Sequence, residues 1–161
     1  GEIKFGGVDV DSINTDQLLK NVTMVSQTTY LFNETIEDNL RIAKPDATQE
    51  EIEAACRMAS VHEFILSLPD GYKTRVGALG DNLSAGEKQR IGLARAFLRG
   101  SEWILLDEPT SNVDSINEGI ILKALQEQKR KKSILLVSHR ESTMAIADRI
   151  YRVKDGRMAE I

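Results

Sequence analysis

Apolar residues follow two rhythms along this chain. Compact aliphatic runs at Val22-Thr23-Met24-Val25, Trp103-Ile104-Leu105-Leu106 and Ser133-Ile134-Leu135-Leu136-Val137 predict strands. The later two lack polar alternation, as expected of parallel strands buried on both faces. Between the first run and the second the spacing turns helical. Ile52, Ala55, Cys56 and Ala59 share one face of a helix that Thr48 and Glu51 open as a capping box. Another helix covers 61–68 and stops at Pro69-Asp70-Gly71. Ser84 caps a longer one reaching about Leu98, with Ile91, Leu93, Ala94 and Leu98 as its buried side. A helix over 117–130 crosses back between the last two strands and completes a βαβ unit.

Smaller elements fill the remainder. Residues 2–10 read as a hairpin turning on Gly6-Gly7. Asn14-Thr15-Asp16 opens a short helix through Lys20, and Asn33 is expected to cap a helix carrying Glu34, Glu37 and Asp38. A short helix at 141–147 precedes strands at 150–153 and 158–161, joined by a turn at Lys154-Asp155-Gly156-Arg157. The alternation predicts an α/β fold with a mainly parallel sheet flanked by helices.

Composition narrows the function classes. A chain of 161 residues fits one domain. Its net charge of -4, from 21 basic and 25 acidic side chains, argues against a broad nucleic-acid surface. Lys129-Arg130-Lys131-Lys132 reads as a solvated helix end favoured by the helix dipole. The lone cysteine, Cys56, excludes an internal disulfide and fits a small apolar role. His62 has no second ligand at metal spacing and reads as a surface or cap-adjacent histidine. No apolar run approaches the ~18 residues of a membrane span, so membrane attachment is expected only through other segments or a partner.

Three places carry chemistry. Leu83-Ser84-Ala85-Gly86-Glu87 is a short polar turn opening a helix, and a helix N-terminus with a hydroxyl is a natural anion site. Asp107 and Glu108 end a buried strand, and ligands in parallel sheets bind beyond the strands' carboxyl ends. An Asp there suits magnesium held with phosphate oxygens, and a Glu beside it suits deprotonating an attacking water. His139 follows the next strand and can therefore lie near Glu108. Taken alone, each has a plainer reading: a capped helix, a solvated acidic turn, a loop histidine.

Together and in this order these residues resemble the nucleotide-binding domain of ABC (ATP-binding cassette) transporters. Leu83 to Glu87 is similar to the family's signature loop, Trp103 to Glu108 to its Walker B strand with catalytic glutamate, and Ser111-Asn112-Val113-Asp114 to its D-loop. Ser138-His139 is similar to the switch histidine and Gln27 to the Q-loop glutamine. The resemblance implies a P-loop NTPase-like sheet at 1–34 and 99–161, with an inserted α-helical subdomain at 35–98 that carries the signature. It implies catalytic roles for Glu108, His139 and Gln27, a magnesium role for Asp107 and Gln27, and ATP contacts from Ser84, Ala85, Gly86, Glu87 and Asp114. The implied cofactors are ATP and Mg²⁺. The implied partners are the transmembrane domain of an exporter and a second nucleotide-binding domain docked head to tail, at the cytoplasmic face of the cell membrane. No nucleic-acid partner is expected.

Tyr30-Leu31-Phe32 through Asn39-Leu40 resembles the exporter branch, where the segment receives the membrane domain's coupling helix. The same aromatics also fit a local core. The sequence departs from the family pattern at Ala78, where exporters carry an acid, at Ala85, where they carry glycine, and at Glu87, where they carry glutamine. No glycine is followed directly by lysine, so the phosphate loop G-x-x-x-x-G-K-[ST] is absent from these residues. The expectation is a C-terminal piece of a nucleotide-binding domain, inactive alone and part of an ATPase when intact. Two other readings stay open: an ABC ATPase without membrane domains, and a non-catalytic module lending its signature loop to a partner.

Overall fold

Strand β3 (Val22–Val25), β4 (Trp103–Asp107) and β5 (Ser133–Val137) are aliphatic and rich in β-branched residues, which suits a pleated, packed surface. In a computed structural model of the protein, which describes residues 1–77 and 80–161, they form one parallel sheet in the order β3-β4-β5. Val22 pairs with Trp103 and Trp103 with Ser133, so the strands run level. Two small antiparallel hairpins flank the sheet. In one, β1 (Lys4–Phe5) and β2 (Val8–Asp9) turn at Gly6 and Gly7, which have φ of 57° and 83°. Both values lie in the left-handed region that such a turn requires. The other pairs β6 (Tyr151–Lys154) with β7 (Arg157–Glu160) across Asp155-Gly156.

The helices are α1 (Thr15–Asn21), α2 (Ile36–Arg41), α3 (Gln49–Met58), α4 (His62–Ser67), α5 (Ala85–Arg99), α6 (Ser115–Gln128) and α7 (Glu141–Met144). Four of them, α2 to α5, lie between β3 and β4, so the fold is the expected α/β type with a helical insertion. Helix α5 runs from the Ser84 capping box to Gly100, whose φ of 77° ends it in the left-handed conformation. It packs on β3, on α2 and α3, and on α6. Ile91, Leu93, Ala94, Phe97 and Leu98 are all buried, together with Ile52, Ala55 and Cys56 of α3.

Only one face of the sheet is fully covered. Val25, Ile104 and Leu106 are buried beneath the helices. On the opposite face Met24, Leu135 and Val137 are 62%, 54% and 56% exposed. That corrects the expectation of strands buried on both sides: the described residues leave the second face largely bare, with Phe5 resting edge-on against Trp103 at 5.2 Å.

Three local expectations also change. Thr35, not Asn33, caps α2, because its hydroxyl accepts from the Asp38 amide. His62 is cap-adjacent, as the first residue of α4 after its cap Val61, but buried rather than at the surface. Its Nδ1 lies 2.8 Å from the Tyr72 hydroxyl and its Nε2 accepts from Arg57 at 3.2 Å, so a polar relay replaces the solvent. Cys56 is fully buried beside this relay, and burial pushes its thiol up to about 11. The basic run after α6 is partly engaged: Lys129 Nζ bonds Asp148 at 2.7 Å and Lys132 Nζ bonds the Ser101 carbonyl at 2.7 Å.

Glu37 of α2 ties the insertion together. Its carboxylate meets Arg41 Nη2 at 2.8 Å and Lys73 Nζ at 2.7 Å. Hydrogen bonds from Lys73 and Arg41 hold its carboxyl below the ordinary glutamate range.

Candidate nucleotide site

Parallel pairing sends every strand's carboxyl end to the same edge. The level register therefore brings the segments after β3, β4 and β5 together, and these carry Gln27, Asp107-Glu108 and Ser138-His139. Glu108 is the tightest of them. Its φ of 47° is left-handed, a conformation costing an L-residue about 1–2 kcal/mol. Neighbours hold it there: its N–H donates to the Val137 carbonyl at 2.9 Å, and its carbonyl accepts from Ser111 N–H at 3.2 Å and Ser111 Oγ at 3.0 Å. The bend turns the side chain toward the end of β5. Oε1 accepts from His139 Nδ1 at 2.7 Å and Oε2 from Ser138 Oγ at 3.5 Å.

Since Nδ1 gives its hydrogen to a carboxylate, the outward Nε2 donates only when the ring is doubly protonated. His139 is exposed, so this nitrogen faces solvent. Gln27 and Asp107 are exposed on the same edge, and among the described residues neither bonds to Glu108.

Ser84 forms the second cluster. Its Oγ accepts from Glu87 N–H at 3.3 Å, and Glu87 Oε2 accepts from Ser84 N–H at 2.7 Å. This reciprocal box turns the Glu87 carboxylate back onto Ser84 and leaves the hydroxyl hydrogen of Ser84 free to donate. Ala85 is the first residue of α5 and lies outside the positive-φ set, so its Cβ brings no backbone strain. Ala78 lies outside the described residues.

Gly86 has a separate reason to be glycine. A Cβ there would lie 2.3 Å from Cγ of Asn117, closer than real contacts allow. Asn117 in turn donates through Nδ2 to Asp114 Oδ2 at 2.7 Å, and Asp114 Oδ1 caps α6 by accepting from Ile116 and Asn117 N–H, each at 3.0 Å. Donation from Asn117 holds the Asp114 carboxyl below its usual range. The Ser84 and Asp114 segments are thus joined through one side chain.

Sequence reasoning missed a polar seam along α5. Arg95 is half-buried and donates from Nε to the Asn39 carbonyl at 2.7 Å, from Nη1 to the Tyr30 carbonyl at 2.6 Å and from Nη2 to Asn39 Oδ1 at 2.6 Å. Burial lowers its guanidinium to about 10, still cationic at neutral pH. Asn39 also clasps the Phe32 backbone, accepting from its N–H at 2.9 Å and donating to its carbonyl at 3.0 Å. Leu31 is fully buried, while Tyr30 and Phe32 stack edge-on at 4.9 Å with 55% and 47% exposure. The local-core reading of the two aromatics is thus corrected: Leu31 between them anchors the core, while Tyr30 and Phe32 stand exposed at the rim of a groove that includes Thr29, Ile42 and Arg95. The legible signal was the polar residues Gln89 and Arg95 flanking the apolar run 91–94 of α5.

Among the described residues no group of His, Cys, Asp and Glu side chains makes a metal site by itself. The oxygen donors at the strand edge, Asp107 and Gln27, fit magnesium, which keeps most of its shell for water and phosphate oxygens.

A parallel sheet flanked by helices, with a helical insertion between its first two strands, makes this an α/β protein of the P-loop NTPase-like class. The family model described as "ABC transporter" matches residues 1–111. The chain belongs to the ABC transporter family. It is 57% identical over 159 residues to a "Probable ABC transporter ATP-binding/permease protein" of Haemophilus influenzae, covering 99% of this chain and 29% of that one. A "Putative multidrug export ATP-binding/permease protein YgaD" of Bacillus subtilis is 44% identical over 161 residues, covering 100% and 28%. Among solved structures, that of a bacterial Atm1-family ABC exporter with ATP bound superposes with a TM-score of 0.91 at 35% identity, covering 99% of this chain and 28% of that one. The chain thus spans under a third of the length of these relatives.

Proposed function

We propose that this chain is the catalytic-edge and signature part of the ATP-hydrolysing domain of an ABC exporter, working with a transmembrane domain at the cytoplasmic face of a membrane. The observation that supports this most is the 2.7 Å pairing of Glu108 with His139 at the carboxyl edge of the sheet. Glu108 is the general base: it takes a proton from a water that attacks the γ-phosphorus of ATP, while the bond to the ADP oxygen breaks. His139 fixes the direction of that carboxylate and, with its ring doubly protonated, donates from Nε2 to the phosphate. Gln27 orients the water. Asp107 and Gln27 supply oxygen ligands to Mg²⁺, which when bound neutralises charge on the phosphate oxygens.

Ser84 and Gly86, with the start of α5, serve the nucleotide of a second domain docked head to tail, and Asp114 lies at that junction. Residues 35–98 form the helical subdomain, and 1–34 with 99–161 form the core. These residues hold no amide cradle and lysine for the triphosphate, so the isolated chain binds ATP weakly and does not turn it over.

The test is ATP turnover by the full-length protein in membranes beside the pure 161-residue chain. The full-length protein releases phosphate and its Glu108→Gln variant retains ATP without releasing it. The isolated chain is silent. Wild-type turnover in the Glu108→Gln variant sinks the catalytic assignment. Hydrolysis by the isolated chain that Glu108→Gln abolishes sinks the claim of inactivity.

A further inference from the structure

Gln89 sits inside α5 with only 3% of its surface exposed, and nothing in the chemistry above uses it. A buried primary amide needs both a donor's partner and an acceptor's partner. Gln89 finds both on one short loop. Its Nε2 donates to the Ser26 carbonyl at 3.1 Å, and its Oε1 accepts from Thr29 Oγ1 at 3.0 Å. Gln27 and Thr28 are the only residues between these two anchors.

The helix is shaped to receive this loop. One turn after Gln89 stands Gly92, where a Cβ would lie 2.3 Å from Thr29 Oγ1. A larger residue would push the loop away from the helix and break the second anchor. The same helix begins at Ser84, so the Gln27 loop and the Ser84 turn are mounted on one rigid rod.

We propose that Gln89 is a positioning residue for Gln27. This rests on the reading of Gln27 as part of the hydrolytic site. The amide of Gln89 holds the Ser26 backbone carbonyl on one side of Gln27 and the Thr29 hydroxyl on the other, so the Gln27 side chain is presented from a fixed loop. Any displacement of the Ser84 helix is thereby passed directly to Gln27. A residue that only filled the core would require volume at this point, not a donor and an acceptor in this order.

The experiment is a double-mutant cycle on steady-state ATP turnover by the full-length protein in membranes. Its members are the parent, Gln27→Ala, Gln89→Leu and the double variant, with Gln89→Glu as a fifth. Gln89→Leu is expected to lower kcat about tenfold, the rate equivalent of a lost buried hydrogen bond, with KM for ATP within about twofold of the parent. In the Gln27→Ala background the same substitution is expected to cost nothing further. Gln89→Glu keeps the acceptor for Thr29 but sets a carboxylate against the Ser26 carbonyl, and is expected to be as slow as Gln89→Leu.

Equal kcat losses from Gln89→Leu in both backgrounds overturn the proposal, as does wild-type turnover in Gln89→Leu. If Gln89→Leu fails to reach the membrane folded, Thr29→Val removes one anchor without changing volume. It is then run through the same cycle, with the same outcomes deciding. Wild-type turnover in Gln27→Ala is a different failure, because it removes Gln27 from the hydrolytic site and takes the proposal with it.

Discussion

His139 Nδ1 donates to Glu108 Oε1 across 2.7 Å, joining the ends of two adjacent parallel strands. Glu108 reaches this position only through its left-handed backbone, so the carboxylate is aimed before any ligand arrives. His139→Ala is expected to lower kcat of the full-length protein by about 10²-fold, the lower end of what a positioned proton-handling group contributes. Phosphate release under saturating ATP measures it. A loss confined to KM would show that His139 only binds.

Gly86 and Asn117 meet so closely that no side chain fits between them. Gly86→Ala is expected to destabilise the fold by about 1–3 kcal/mol, the usual cost of overpacking. Gly86→Ala combined with Asn117→Ala is expected to recover part of that loss. Denaturant midpoints of these two variants and of Asn117→Ala alone decide; strictly additive effects would place the strain elsewhere.

Glu37 gives the helical insertion an acid limit. Its carboxyl is held below its ordinary range by Lys73 and Arg41, so folding favours the ionised form. Its contribution is fully present above the unfolded glutamate pKa of about 4.3 and is lost as pH falls through the lower folded value. Glu37→Gln is expected to cost about 1 kcal/mol at neutral pH and to flatten the stability profile below about pH 4. Thermal midpoints taken from pH 3 to pH 7 report the difference. A profile unchanged by the substitution refutes the assignment.

Cys56 is wholly buried and its thiol is raised to about 11, so almost no thiolate exists at neutral pH in the folded state. Thiol reagents are expected to modify it only when α3 opens, at a rate that climbs with denaturant in step with unfolding. Prompt labelling of the native chain at neutral pH would contradict the burial.

Much of this site was readable because its chemistry sits at strand ends. The aliphatic runs fixed β3, β4 and β5, and parallel pairing then had to bring Glu108 and His139 to one edge. The Thr48 box and the Ser84 cap were readable because capping is local. What escaped was set by contacts between distant segments. Asn33 read as the cap of α2, and only the fold shows that the turn is made at Thr35. His62 is buried because Tyr72, ten residues later, returns to meet its Nδ1. Gln89 and Arg95 went unremarked, since their partners at 26–39 lie some sixty positions earlier. The bare sheet face was hidden for a related reason: continuous apolar strands announce burial on both sides, while the covering layer is a property of other residues.

The pairing of Val22 with Trp103 has a consequence in time. Everything in the helical insertion lies between those residues along the chain, so β3 and β4 can join only after that whole stretch has been synthesised and brought round. Helices α3 to α5 make their contacts over shorter spans and can condense earlier, because short loops close at less entropic cost. The edge that carries Gln27, Glu108 and His139 is therefore the late product of assembly. A nascent or partly folded copy would have its helices and its Ser84 turn in place before Gln27, Glu108 and His139 had found one another.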